Sequence, residues 1–241
     1  MWFGIAAWAG LPACAHQLVD DDNVYYQGVD QPRVLCASSI DDRYTVGAGE
    51  LDDALSRAHA DGSTVHLYAH DPGRTIALSE VESVISLAAS HGMDFVTYAA
   101  LGTGGAHGSL ALSFDDNSVA DWTAMRPLLA KYGAKVTFFV TRYLVMTDDE
   151  HQQLHDLEAD GHDVEFHTVA HLEAVTYVTA HGLDAYLADE ILPGLAAMQA
   201  DGYTITSFAY PFGQRDAELD AALTPYFEHI RAIESTCPRG R

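Results

Sequence analysis

The sequence predicts an α/β fold built on a parallel sheet, and three observations predict it. Short apolar runs rich in β-branched and aromatic residues recur along the chain, helical patterns with recognisable ends lie between them, and 241 residues fit one large domain. Alternating βα units place their strands in parallel, in a sheet either open or closed into a barrel. Hydrophobic residues make up 48%, enough for a sizeable core. No apolar run is long enough to span a membrane as a helix.

The expected strands are 33–37, 64–69, 94–98, 109–114, 135–140, 163–166, 204–210 and 229–233. Ser79 with Glu82 and Thr147 with Glu150 read as capping boxes at helix starts. Gly62, Gly133, Gly161 and Gly202 each follow a helical run, as a left-handed cap requires. Pro193 interrupts the run 183–200, so that helix is expected to kink or split. The Gly-rich stretch 102–108 reads as a flexible link between 25–101 and 109–241.

Twelve Lys and Arg against 35 Asp and Glu give a net charge of -23. Such a surface repels phosphate backbones and argues against nucleic-acid binding. It suits high salt, and equally it is a plain solubility device. The three cysteines, Cys14, Cys36 and Cys237, lack the spacing of a structural zinc site. Leu11-Pro12-Ala13-Cys14 resembles a bacterial lipobox, whose cysteine is lipidated. The preceding segment is apolar but short and carries no basic residue, so an unstructured leader remains open. Residues 1–24 are therefore read as a leader and 25–241 as the folded domain. Export to the cell envelope, with membrane attachment through Cys14, is the expectation, and a cytoplasmic location stays open. Cys36 and Cys237 are then left as a pair that nothing in the sequence brings together.

In a parallel α/β sheet, functional groups collect at the C-terminal ends of the strands. Asp115 and Asp116 close an apolar strand there. Two adjacent carboxylates repel unless a cation lies between them or one takes a proton. With a metal, one can ligate while the other accepts a proton from bound water. Taken alone, the pair is equally a solvated Asp-Asp at a helix N-terminus, in a chain with many acidic runs. His167 and His171, four apart, follow another strand and could ligate one metal. His151 and His155 share the spacing but fall inside a polar helical pattern, where exposure is expected. Tyr210-Pro211-Phe212-Gly213 ends a third strand with turn residues, and a backbone N–H there could face an oxyanion.

Together these segments resemble the polysaccharide deacetylase family, also called carbohydrate esterase family 4 or the NodB homology domain. Ser113–Asp116 match its Thr/Ser-Phe-Asp-Asp motif and His167–His171 its His-Ser/Thr-x-x-His motif. Tyr210–Gly213 match part of Arg-x-Pro-Tyr/Phe-Gly, and 131–140 looks like the family's second strand. The resemblance covers 109–241 directly. It implies a single distorted, TIM-barrel-like (β/α) barrel of about seven strands. It implies a divalent metal, Zn2+ by default, on Asp116, His167 and His171, with Asp115 as general base and the Phe212 N–H at the oxyanion. The implied substrate is an N- or O-acetylated glycan. One departure stands out: the family's arginine that contacts the base would fall at Ala209, and Arg231 could supply a guanidinium from elsewhere.

The family's late Leu-x-His motif, which carries the general acid, has no match after Gly213. Val65–Asp71 looks like it, placed before the first motif, and 78–98 looks like the family's final helix and closing strand. The resemblance thus implies a permuted motif order. Residues 25–101 would stand for the family's C-terminal part, 102–108 for the link and 109–241 for its N-terminal part. His70 would be the acid, with Asp41 or Asp42 orienting it. Rival expectations are a small-molecule amidase on the same fold, a non-catalytic glycan-binding module, which the missing arginine motivates, and a structural metal site.

Overall fold

The computed structural model describes residues 18, 22–27, 32–41, 47–102 and 107–237. Its strands are β1 (Tyr25–Gln27), β2 (Val34–Ser39), β3 (Ser63–Ala69), β4 (Asp94–Phe95), β5 (Ser109–Asp116), β6 (Thr137–Val140), β7 (Asp163–Phe166), β8 (Ser207–Ala209) and β9 (His229–Ile233). Seven of them, β2, β3, β5, β6, β7, β8 and β9, close a parallel barrel, with β9 pairing back onto β2. The barrel is the expected fold class. β1 runs antiparallel against the start of β3, and β4 lies parallel to the start of β5.

Alternation along the strands makes two cores. On β5, Leu110, Leu112 and Phe114 join the outer core beneath the helices, while Ala111 packs inside the barrel with Leu35, Phe139, Ala209 and Tyr98. The helices are α1 (Ala48–Asp61), α2 (Leu78–Ser90), α3 (Val119–Ala124), α4 (Arg126–Tyr132), α5 (Asp148–Ala159), α6 (Ala174–His181), α7 (Leu183–Tyr186), α8 (Leu192–Ala200) and α9 (Ala217–Leu223). The 183–200 run splits as expected: Pro193 stands in the first turn of α8, and a π-helical turn, Leu187–Ile191, precedes it.

The distortion lies between β7 and β8, which share one registered pair, Phe166 with Phe208. Buried Glu165 bridges this seam. Its carboxylate accepts the N–H groups of Thr206 at 3.0 Å and Ser207 at 2.8 Å and the Thr206 hydroxyl at 2.7 Å. A side chain thus takes the place of missing ladder bonds. Burial pushes its carboxyl well above the usual range.

Three expectations need correction. The strand expected at 94–98 ends at Phe95, and the barrel closes instead through β3 on β5. The chain turns because Tyr98 enters the barrel interior, edge-on to His66 and Phe139. The N-cap of α2 is Ala77, two residues before Ser79. Glu80 reaches back to the Ala77 N–H, and Glu82 pairs with Lys131 and Tyr132 instead of capping. The Thr147–Glu150 capping box forms as expected. The boundary at residue 24 also cuts into packed structure, since Leu18 and Val24 are fully buried. Cys14 lies outside the described residues.

Cys36 and Cys237, 201 residues apart, form a disulfide. It ties the segment after β9 to β2, the strand β9 pairs with. A cross-link over so long a loop removes much unfolded-chain entropy. Cys237→Ser should lower the unfolding free energy by roughly 2–5 kcal/mol, read as a lower Tm under oxidising conditions. An unchanged Tm would contradict it.

Candidate active site

The C-terminal ends of β3, β5, β7, β8 and β9 meet around a cavity of about 340 Å³. Its walls include His70, Asp115, Asp116, His167, His171, Phe212 and Arg231. All seven, each named from the sequence, therefore face one space. His151 and His155 lie elsewhere, on α5, bonded to the Tyr143 carbonyl and to Asp201.

Asp116, His167 and His171 form a group whose ligand atoms all lie within 4.8 Å of one another. Asp116 Oδ1 is 3.0 Å from His171 Nε2 and 3.7 Å from His167 Nε2. That oxygen is buried and makes no aligned hydrogen bond. His167 Nδ1 sits 2.7 Å from the Ala209 carbonyl, which fixes the tautomer and turns Nε2 toward Asp116. Burial pushes the His167 imidazole down to about 4, so it stays neutral. Burial would raise the Asp116 carboxyl, but the His171 and His167 imidazoles hold it below the usual carboxylate range. One carboxylate and two imidazoles fit a zinc-like ion.

The backbone here is strained. Asp116, Thr168 and His171 adopt φ of 85°, 70° and 61°, and Phe212 adopts 58°. Left-handed conformations of such residues cost roughly 1–3 kcal/mol each and persist only where the surroundings hold them. Thr168 helps hold its own turn, its Oγ1 accepting the His171 N–H at 3.0 Å.

Asp115 points into the barrel mouth and is 2% exposed. The Arg231 guanidinium donates from Nη2 to Asp115 Oδ2. It is sandwiched near the rings of Tyr68 and Phe139, at 4.5 and 5.4 Å from their centroids. Arg231 is the register partner of Ala209. The guanidinium beside Asp115 thus comes from β9, next to Ala209 on β8. The other oxygen, Asp115 Oδ1, is buried without a hydrogen-bond partner.

His70 follows β3, and its main-chain carbonyl accepts the Trp122 indole N–H at 2.9 Å. Its Nδ1 lies 2.5 Å from Asp41 Oδ2, and Asp41 Oδ1 accepts the Thr75 hydroxyl at 2.7 Å. Of the two aspartates expected to orient it, Asp41 does so; Asp42 lies outside the described residues. Burial opposes protonation of His70. The Asp41 hydrogen bond and the charges of Asp115 and Asp41 outweigh that, and its pKa is raised. Phe212 is 58% exposed at the cavity rim, its ring 4.7 Å from that of His171. Thr75 carried no signal in the sequence, being one threonine in a loop.

Comparison with known proteins gives the family and the fold. The family model for polysaccharide deacetylases matches residues 105–226, half of the chain. The chain belongs to the polysaccharide deacetylase family. Among solved structures, IcaB from Ammonifex degensii superposes with a TM-score of 0.56 at 22% identity, over 69% of this chain and 81% of that one. BA0330 from Bacillus anthracis gives 0.53 at 14% identity, over 68% and 55%. A gellan lyase from a Bacillus species is 29% identical over 115 residues, which are 47% of this chain and 4% of that protein. The chain thus spans a small piece of that curated relative.

Proposed function

We propose that the chain is a metal-dependent hydrolase that removes acetyl groups from N- or O-acetylated polysaccharide. The observation that carries this reading is the meeting of Asp115, His70 and the Asp116–His167–His171 group in one cavity. Asp116, His167 and His171, three groups rather than four among the described residues, would hold a metal ion and leave it room for water. A divalent ion there, zinc by preference, would lower the pKa of a water molecule and polarise the acetyl carbonyl. Asp115 accepts the proton of the attacking water at its free Oδ1 while Arg231 holds Oδ2. The Phe212 N–H, on its left-handed turn, donates to the developing oxyanion. His70, oriented through Nδ1 by Asp41, gives a proton from Nε2 to the leaving amine or alcohol.

A permuted motif order is part of the proposal. β3, which His70 directly follows, pairs with the strand carrying Asp115 and Asp116, although His70 precedes them in the chain and lies outside the family match. The ends of a compact domain often lie close enough for such a rearrangement. The absent arginine at Ala209 was the motive for a non-catalytic module, and Arg231 removes it.

The test is acetate release from a panel of N- and O-acetylated glycans beside small acetylated, formylated and ureido compounds. Polymer turnover should dominate. Turnover of the small compounds alone would favour an amidase, and glycan binding without acetate a recognition module. Export is proposed as well, since the Cys36–Cys237 disulfide fits an oxidising compartment. In a bacterium that processes lipoproteins, the protein should fractionate with membranes and Cys14→Ser should release it. A soluble cytoplasmic product would overturn this.

A further inference from the structure

The His167–His171 turn is held only in part by its own Thr168–His171 hydrogen bond. Its two left-handed residues, Thr168 and His171, flank Val169 and Ala170, whose N–H groups point to another part of the chain. Both are taken by Glu190. Its carbonyl accepts the Val169 N–H at 3.1 Å, and its carboxylate Oε2 accepts the Ala170 N–H at 3.0 Å. Glu190 is 3% exposed, a rare degree of burial for a carboxylate that is not paired with a cation. It belongs to the π-helical turn Leu187–Ile191, and such turns are rare and often mark functional sites. Just beyond, α8 presses on the same turn. A Cβ at Gly194 would stand 2.6 Å from the Phe166 ring and 3.1 Å from Val169.

We propose that Glu190 is a positioning residue for the metal centre: the π-helical turn delivers its main chain and side chain together to the strained His167–His171 turn, and so aims His171 at Asp116. The inference rests on the metal-binding reading above. Loss of the carboxylate takes away the acceptor that ties the Ala170 N–H of this part-buried turn, and the turn relaxes toward ordinary backbone angles. His171 then leaves the position that places its Nε2 beside Asp116 Oδ1. Removal of a group that orients a ligand in this way typically lowers metal affinity about 10–100-fold.

The experiment measures Zn2+ affinity by competition with a chromophoric chelator, and Co2+ absorption in parallel. The proteins are the wild type, Glu190→Ala, Glu190→Gln and His171→Ala. Glu190→Ala should bind Zn2+ about 10–100-fold more weakly and show an altered Co2+ spectrum. Glu190→Gln, whose amide oxygen can still accept the Ala170 N–H, should stay within a fewfold of wild type. A purely structural role would lower the Tm of the metal-free protein and leave affinity and spectrum unchanged, and that result would overturn the proposal. If Glu190→Ala does not fold, Glu190→Asp, too short to reach Ala170, takes its place with the same expected loss. Wild-type affinity in His171→Ala would sink the metal reading itself. Lost affinity there with retained affinity in the Glu190 variants would sink only the role of Glu190.

Discussion

His171→Ala should bind no divalent metal at concentrations that saturate the wild type, while His155→Ala should bind it normally. Both histidines belong to pairs spaced four apart, so spacing does not separate them. Position does. His171 Nε2 stands 3.0 Å from Asp116 Oδ1 at the mouth of the barrel, whereas His155 lies on α5, stacked on Tyr203 and bonded to Asp201. Two ligands that remain, His167 and Asp116, cannot hold a tetrahedral ion of the kind three protein groups hold. Metal content after dialysis, measured by atomic emission, is the readout. Equal content in the wild type and His171→Ala would remove the assignment.

Asp115→Asn should keep its metal and lose about 10²–10⁴-fold in turnover, the usual contribution of a general base. The substitution has a second consequence. Arg231 is 1% exposed and its ion-pair partner is Asp115, so the amide leaves a buried guanidinium without a countercharge. Breaking a buried pair from one side commonly costs about 3–5 kcal/mol. Asp115→Asn should therefore melt lower than the wild type. Adding Arg231→Met should recover much of the Tm and none of the activity. If Asp115→Asn loses the metal and Asp116→Asn keeps it, the two carboxylates exchange roles. If Asp115→Asn turns over normally, the base lies elsewhere.

The legible parts of the molecule are those written locally. β5 announces itself through alternating apolar residues that end on Asp115 and Asp116, and its side chains fall inward and outward as a pleat requires. The histidine turn and the Tyr210–Gly213 turn are short segments whose chemistry sits within a few residues. His70 was legible only by resemblance, because its segment precedes the motifs it serves. What stayed hidden depends on contacts between distant residues. Arg231 reaches Asp115 across 116 positions, and Cys36 meets Cys237 across 201. Glu190 reads as one more acid on a helix in a chain with 35 acids, and its burial comes from a π-helical turn that no periodicity reveals. Tyr98 reads as a strand residue because aromatic residues favour strands, yet it packs in the space inside the barrel.

The most direct measurement titrates Zn2+ into metal-stripped protein while following acetate release from an acetylated glycan. Acetate release should begin near zero, rise in proportion to bound metal and level off at one ion per chain. Release that is undiminished in the stripped protein, or a fully loaded protein that frees no acetate from any glycan, would contradict a metal-dependent deacetylase.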